Sequence, residues 1–308
     1  MSKKIIFMGT PMFAVPILKS LYQNGYPVSV VYTQPPQKSK RGQKINKSPI
    51  QGISETLNID FRTPITLKDN QEEYKFLREL NADLAVVVAY GQIIPKKYLE
   101  LTKKGFINIH GSILPKWRGA APIQRAIMNL DKTTGISIMK IVSKLDAGPT
   151  LIKSEISITN ETNFESLSDQ MSKLGAIKIL EAINLIENKK ANFIDQDETE
   201  ATYAKKIEKI EGKITWKENA DKVIAKINAL NPNPGSWFML KGSRIKILKA
   251  VEVKQQGRPG EILSSKFIIA CKKNAIQILE LKKEGKNKMN VQEYTNGNKL
   301  EVGTSINE

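Results

Sequence analysis

The sequence has few of the residues that most often build metal and redox sites. Cys271 is its one cysteine and His110 its one histidine. A lone cysteine excludes an intrachain disulfide, and one Cys with one His cannot supply the ligands of a structural zinc site. No metal is expected. So sparse a use of cysteine suits a reducing compartment, and a cytoplasmic protein is expected. Long apolar runs are missing too. Lys3-Lys4 followed by Ile5-Ile6-Phe7-Met8 has the charge order of a signal peptide. Gly9-Thr10-Pro11 interrupts it, and no small-residue cleavage site follows. Nothing approaches the roughly 20 apolar residues of a membrane span. A soluble protein with no membrane partner is expected. Acidic residues are scarce: 31 Asp+Glu stand against 48 Lys+Arg, a net charge of +17. Such a balance suits a polyanionic partner, although a lysine-rich solvated surface gives the same count.

What is present reads as α/β. Lys4–Gly9 has the composition of a buried strand, Val15–Tyr22 that of a helix with Pro16 in its first turn, and Val28–Tyr32 that of a second strand. Strand, helix, strand opens a parallel sheet. Leu84–Ala89 is a continuous apolar run, as in a central parallel strand. Phe106–Ile109, Gly135–Val142 and Thr150–Ile158 read as further strands, and Ile123–Leu130 as a helix. Phe164, Leu167, Met171, Leu174, Ile177, Leu180, Ile183 and Ile186 recur at helical spacing, which predicts a long helix packed on the sheet by that stripe. A dinucleotide fingerprint needs three spaced glycines and an acid about 20 residues later. Gly9 stands alone and Thr33 takes the acid's place, so nicotinamide and flavin binding are not expected. The fold class predicted is a doubly wound, mostly parallel, Rossmann-like sheet.

A chain of 308 residues suggests two domains. Gln196–Ala204 is polar and reads as a linker. Beyond it come a helix, Asn219–Leu230, and five short strand-like runs punctuated by turn residues: Ser236–Leu240, Arg244–Val253, Gly260–Leu263, Phe267–Cys271 and Ala275–Leu281. That spacing predicts a small OB-like β-barrel. The expected division is a catalytic domain over 1–190, a linker over 191–208 and a basic barrel domain over 209–308. Charge follows it. From residue 203 onward, 21 Lys+Arg face 11 Asp+Glu. Gln34–Gln51 adds Lys38, Lys40, Arg41, Lys44 and Lys47 with no acid, and Pro35, Pro36, Gly42 and Pro49 discourage regular structure there. Such a loop is either a solvated insertion or a basic arm reaching for phosphates.

The chemistry gathers where strands end. Asn108 and His110 are two apart on a strand, so they share a face. Asp146 follows another strand. In open α/β sheets ligands bind beyond the carboxyl ends of strands, and the Tyr90–Pro95 loop would lie there as well. An imidazole can accept a proton, a carboxylate can orient it, and an Asn amide can donate to an oxyanion. Together these serve acyl-type transfer to an amine. No G-x-S-x-G elbow is present, so direct transfer without a covalent enzyme intermediate is the simpler reading. A hydrogen-bonded core histidine and a turn-forming aspartate are the bland alternatives.

These residues bring a family into view. Phe7-Met8-Gly9-Thr10-Pro11 with Phe13-Ala14, Ala89–Pro95, Asn108–Pro115 continuing through Trp117–Gln124, Leu145–Pro149, Gln196–Ala204 and Pro232–Gly235 resemble the methionyl-tRNA formyltransferase family along essentially the whole chain. The resemblance implies a formyltransferase domain joined to an OB-like domain. It implies transfer of a formyl group from 10-formyltetrahydrofolate to the α-amino group of methionine on initiator tRNA. Matching positions imply Asn108, His110 and Asp146 as the catalytic set. They imply Tyr90, Gly91, Gln92, Ile93, Ser112, Ile113, Leu114 and Pro115 as folate contacts. Lys38, Lys40, Arg41 and Lys44 of the basic loop, with Lys205, Lys206 and Lys209, are the expected tRNA contacts. The loop departs from the family's usual opening at Pro36-Gln37-Lys38, and Lys40 replaces a common glycine. A monomer is expected. The rival reading is a folate-dependent formyltransferase for a small-molecule amine, which would need neither the basic loop nor a basic barrel.

Overall fold

A computed structural model describes residues 4–38 and 45–306. They form two compact units: 1–119 with 135–156 and 168–203, and 120–134 with 157–167 and 204–308.

The first unit is built on a seven-stranded sheet. Its strands include β1 (Ile5–Gly9) and β2 (Val28–Tyr32), followed by a two-residue ribbon of β3 (Gln37–Lys38) and β4 (Ile45–Asn46) that stands apart from it. Then come β5 (Phe61–Arg62), β6 (Leu84–Val88), β7 (Phe106–His110), β8 (Arg118–Gly119), which lies outside that sheet, β9 (Thr133–Lys140) and β10 (Thr150–Ser157). The order across the sheet is β10-β9-β7-β6-β1-β2-β5. β1 pairs in parallel with β2 and β6, β6 with β7, and β2 with β5. β7 and β9 pair antiparallel, so the sheet is doubly wound and mostly parallel. All five residues of β1 and of β6 are buried, which is why both read as unbroken apolar runs.

The chain winds from β1 outward through β2, then returns to place β6 on β1's other side. That reversal leaves a crevice beyond the carboxyl ends of β1 and β6. Thr10 Oγ1 donates to Tyr90 O at 2.8 Å across it. The first unit's helices are α1 (Val15–Gln23), α2 (Pro49–Thr56), α3 (Gln71–Leu80), α4 (Lys96–Leu99) and most of α6 (Phe164–Glu187), while α5 (Pro122–Met128) falls in the second unit.

Some expectations are corrected. The end of the basic loop is helical: Pro49 opens α2 instead of preventing it, because a proline's missing N–H costs nothing in a first turn, and Ser48 Oγ caps the Gln51 amide at 2.9 Å. In α6 the buried line runs through Leu167, Met171, Gly175, Ile179 and Ile183, while Ile177 is 65% exposed. A buried stripe climbs by fours; the sequence stripe stepped by threes past Leu174 and drifted off it. Gly175 brings α6 close to Ile17 of α1 and Ile109 of β7.

The second unit carries β11 (Tyr203–Ala204) at its boundary, α7 (Ala220–Leu230), β12 (Ser236–Leu240), β13 (Ser243–Val253), β14 (Ile262–Ser264), β15 (Ile268–Ala270), β16 (Ala275–Lys283), β17 (Met289–Asn290) and α8 (Val291–Gly297). Its antiparallel sheet runs β12-β13-β16-β15-β14, with β17 also on β16, an arrangement consistent with an OB-like fold. One face buries Phe238, Ile245, Ile247, Ile278 and Leu281 with Trp216 and Val223. Cys271 is buried in that core, and burial pushes its thiol up to about 12, so it serves packing. No helix among the described residues is long and apolar enough to cross a membrane.

Candidate active site

β7 delivers the central pair. Asn108 lies between Val87 of β6 and Met139 of β9, and His110 stands opposite Ser137. His110 is 6% exposed, and Asn108 is half-buried. Just past β7 the chain turns tightly: Ser137 Oγ donates to Ser112 O at 2.7 Å and accepts from the Leu114 amide at 3.0 Å. Ser112 and Leu114 are fully buried, whereas Ile113 and Pro115 are half-buried.

The imidazole is hydrogen-bonded at one nitrogen and faces a carboxylate with the other. Nε2 lies 2.8 Å from Trp117 O. A carbonyl only accepts, so Nε2 carries the hydrogen and Nδ1 holds the free lone pair. Nδ1 faces Asp146 Oδ2 at 3.6 Å. That same Oδ2 accepts from the Gly119 amide at 2.8 Å. The structure therefore brings His110 and Asp146 together, with Asn108 two residues back on the same strand.

The loop after β6 borders them. Ala89 and Gly91 adopt left-handed backbone at φ 48° and 81°. Gln34 Nε2 donates to Gly91 O at 2.9 Å, in the space a Gly91 side chain would fill. Gln92 Nε2 donates to Pro64 O at 2.8 Å, while Gln92 Oε1 and Tyr90 Oη are buried without a partner among the described residues. Burial pushes the Tyr90 hydroxyl upward, with Glu73 and Tyr98 adding to it. Ile93 is 88% exposed. Trp117 and Asp146 are also left-handed, at φ 62° and 45°. Non-glycine residues in that region cost energy, and they cluster around functional sites.

Two residues that the sequence did not single out complete the surroundings. Arg118 is wholly buried and donates through Nε and Nη2 to Gln196 Oε1 at 3.0 and 2.8 Å. Its Nη1 and Nη2 reach Glu198 at 3.1 and 2.9 Å, and Lys144 also pairs with Glu198. Arg118 and then Lys144 hold the Glu198 carboxyl down to about 2. Gln196–Ala204 is thus not a passive linker, because its first residues satisfy a buried guanidinium. The only sequence signals were an Arg inside the Trp117-Arg118-Gly119 run and a Gln at the start of a polar stretch.

Among the described residues no group of three or more His, Cys, Asp or Glu is placed to hold a metal ion. Lys40, Arg41 and Lys44 lie outside the described residues, and Lys38 belongs to β3. Lys205, Lys206 and Lys209 are exposed in the second unit. That unit also shows a basic row the sequence did not reveal. Trp237 of β12, Lys246 of β13 and Lys282 of β16 are directly opposed across three strands. Arg244 stacks over the Trp237 ring at 4.1 Å. Lys246 Nζ donates to Pro234 O at 2.7 Å, and burial, then Lys282 and Arg244, lower its pKa. Like charges opposed across strands repel.

Comparison with known proteins agrees with this architecture. Residues 3–183 match the Formyl transferase family, and residues 206–299 match the family described as Formyl transferase, C-terminal domain. A methionyl-tRNA formyltransferase of Pelagibacter ubique is 56% identical over 99% of both chains. One from Caldanaerobacter subterraneus is 41% identical over 98% of this chain and 99% of that one. A sugar 3N-formyl transferase, solved in the presence of dTDP and 5-N-formyl-THF, superposes with a TM-score of 0.69 at 20% identity, over 93% of this chain and 100% of that one. A formyltransferase from Helicobacter canadensis superposes at 0.68 with 19% identity, over 90% and 99%. These structural likenesses show the fold alone. With such identity along nearly its full length to the curated proteins, the chain belongs to the methionyl-tRNA formyltransferase family.

Proposed function

We propose that this protein transfers the formyl group of 10-formyltetrahydrofolate to the α-amino group of methionine on initiator tRNA. The observation that carries the chemistry is the His110–Asp146 approach at 3.6 Å beside Asn108 on β7. Bound folate supplies the electrophilic formyl carbon. Asn108 donates to the formyl oxygen as negative charge grows there. His110 Nδ1 takes the amine's proton, the Asp146 carboxylate faces the imidazolium that results, and that imidazolium would give the proton to the folate nitrogen as its bond to the formyl carbon breaks. Because Nε2 is engaged by Trp117, Nδ1 is the nitrogen open to that proton.

The residues present fit a folate. Gln92 Oε1 is buried without a partner among the described residues, an acceptor left over for a ligand group. Tyr90 to Ile93 and Ser112 to Pro115 would hold it, largely through backbone groups, since Tyr90, Ser112 and Leu114 turn their side chains inward. Lys38, Lys40, Arg41 and Lys44 would hold tRNA phosphates, as would the exposed Lys205, Lys206 and Lys209. The Trp237–Lys246–Lys282 row with Arg244 is further support for a polyanionic partner of the second unit. On this reading 1–190 is the catalytic domain and 209–308 the tRNA-binding domain, joined by 191–208, in a cytoplasmic monomer.

A single assay tests the reading. Labelled formyl is followed from 10-formyltetrahydrofolate to initiator methionyl-tRNA, elongator methionyl-tRNA and an amino-sugar nucleotide. Transfer to the initiator, with a KM that rises steeply with salt, is the expected result. Preference for the small amine, or a salt-insensitive KM, would overturn it.

A further inference from the structure

The side-chain amide of Gln196 has no spare hydrogen-bonding capacity. Its Oε1 accepts twice from Arg118, at 3.0 and 2.8 Å. Its Nε2 donates twice, to Asp146 O at 2.8 Å and Gly148 O at 2.7 Å. A guanidinium only donates and a carbonyl only accepts, so the amide can face one way only. Arg118 is itself fixed, being wholly buried, paired with Glu198 and tied by its amide to Thr202 O at 2.8 Å. The next residue, Gly119, gives its amide to Asp146 Oδ2. Arg118-Gly119 therefore grips Asp146 twice, at the carboxylate directly and at the backbone through Gln196.

Asp146 needs that grip. It is left-handed at φ 45°, a conformation an aspartate leaves readily unless neighbours hold it. Its carboxylate lies 3.6 Å from His110 Nδ1. A shift of about 1 Å at such an approach can cost on the order of 100-fold in rate.

We infer that Gln196 is a positioning residue for the transfer reaction, holding the Asp146 backbone so that its carboxylate stays against His110. The inference rests on the reading of Asp146 as a member of the catalytic set. Gln196→Glu separates positioning from folding. Glutamate keeps the one oxygen that accepts both bonds from Arg118 and adds a charge the guanidinium welcomes. It replaces the two donors with an oxygen aimed at two carbonyls, so the Asp146 loop is pushed away.

The experiment is a mutant cycle on the full-length protein: wild type, Gln196→Glu, Asp146→Asn and the double variant. Turnover is measured at saturating 10-formyltetrahydrofolate and methionyl-tRNA, and KM is measured for each. Gln196→Glu is expected to keep its thermal midpoint and both KM values within about twofold, and to lose on the order of 10- to 100-fold in kcat. Asp146→Asn is expected to lose about 10²–10⁴-fold. The double variant should match Asp146→Asn, because a residue acting through Asp146 has nothing left to position. Wild-type kcat in Gln196→Glu, or the same fold loss with and without Asp146, would overturn the inference while leaving the catalytic set intact. Wild-type kcat in Asp146→Asn would instead overturn the role of Asp146. Should Gln196→Glu not fold, Gln196→Met, of similar length and without hydrogen-bonding groups, is judged on kcat and KM alone, with and without Asp146.

Discussion

His110 gives its Nε2 hydrogen to Trp117 O at 2.8 Å, and so presents Nδ1, not Nε2, to Asp146. Trp117 can do this because its own backbone is left-handed and its amide is held by Thr202 Oγ1 at 2.9 Å. The residue that sets the imidazole's tautomer is therefore itself set by the segment that begins at Gln196. The His110–Asp146 geometry and the segment that begins at Gln196 form one hydrogen-bonded structure within the first unit.

Gly148 follows Asp146 by two residues, and a Cβ there would overlap the Lys140 carbonyl oxygen. The obstruction is the Lys140 backbone, which cannot swing aside as a side chain could. Gly148→Ala is expected to destabilise the protein by about 1–3 kcal/mol, read as a lowered urea midpoint. It should also reduce kcat more than KM, since the displaced turn carries Asp146. An unchanged midpoint would show that the turn has room the structure denies.

Arg118 is buried with five side-chain hydrogen-bond donors and is matched by Gln196 and Glu198. Arg118→Met keeps length and removes every donor. It leaves Gln196 Oε1 without its partner, which costs about 1–3 kcal/mol for a buried acceptor. Equilibrium denaturation should show a loss of that size, and Arg118→Lys should recover only part of it, because an ammonium cannot span both acceptors.

Glu198 makes a pH prediction. Arg118, then Lys144, hold its carboxyl down to about 2 from an ordinary 4.5. A carboxyl whose folded pKa is depressed stabilises fully above its unfolded value and loses that contribution as pH falls through the folded one. The urea-midpoint difference between wild type and Glu198→Gln should be constant above about pH 5, shrink below 4.5 and vanish near 2. Glu198 is half exposed, so the effect is modest and weakens with salt. A difference independent of pH would mean that the charge is not what Arg118 needs.

Much of this was legible in the residue order. The buried strands β1 and β6 announced themselves as apolar runs, and Asn108, His110 and Asp146 stood out as polar residues ending strands. Periodicity gave α6 its length, yet not its buried face, since heptad-like steps of three misplace Ile177. Short β5, three-turn α3 and the closing β17–α8 pair carry weak local signals, and long-range pairing or caps define them. Asn70 caps the Glu73 amide at 3.1 Å, for example. Gln196 was invisible as more than a linker residue because its partners Arg118, Asp146 and Gly148 lie 48 to 78 positions away. The Trp237–Lys246–Lys282 row depends on strand register, which no single segment encodes.

That row gives a further test. Arg244→Ala with Lys282→Ala is expected to weaken methionyl-tRNA binding for initiator and elongator alike, while folate KM stays unchanged. At about one unit for each phosphate contact removed, the two substitutions should reduce the slope of log Kd against log salt by about two. An unaltered slope would remove these side chains from the tRNA surface.

The proposed chemistry stands or falls on one division of labour, in which Asn108 would stabilise charge on the formyl oxygen while His110 and Asp146 handle the amine's proton. Single-turnover transfer of labelled formyl to initiator methionyl-tRNA, with both substrates saturating, measures that step directly in wild type and Asn108→Ala. The rate is predicted to fall by about 10²–10³-fold in the variant, with folate and tRNA binding retained. A rate equal to wild type would contradict it.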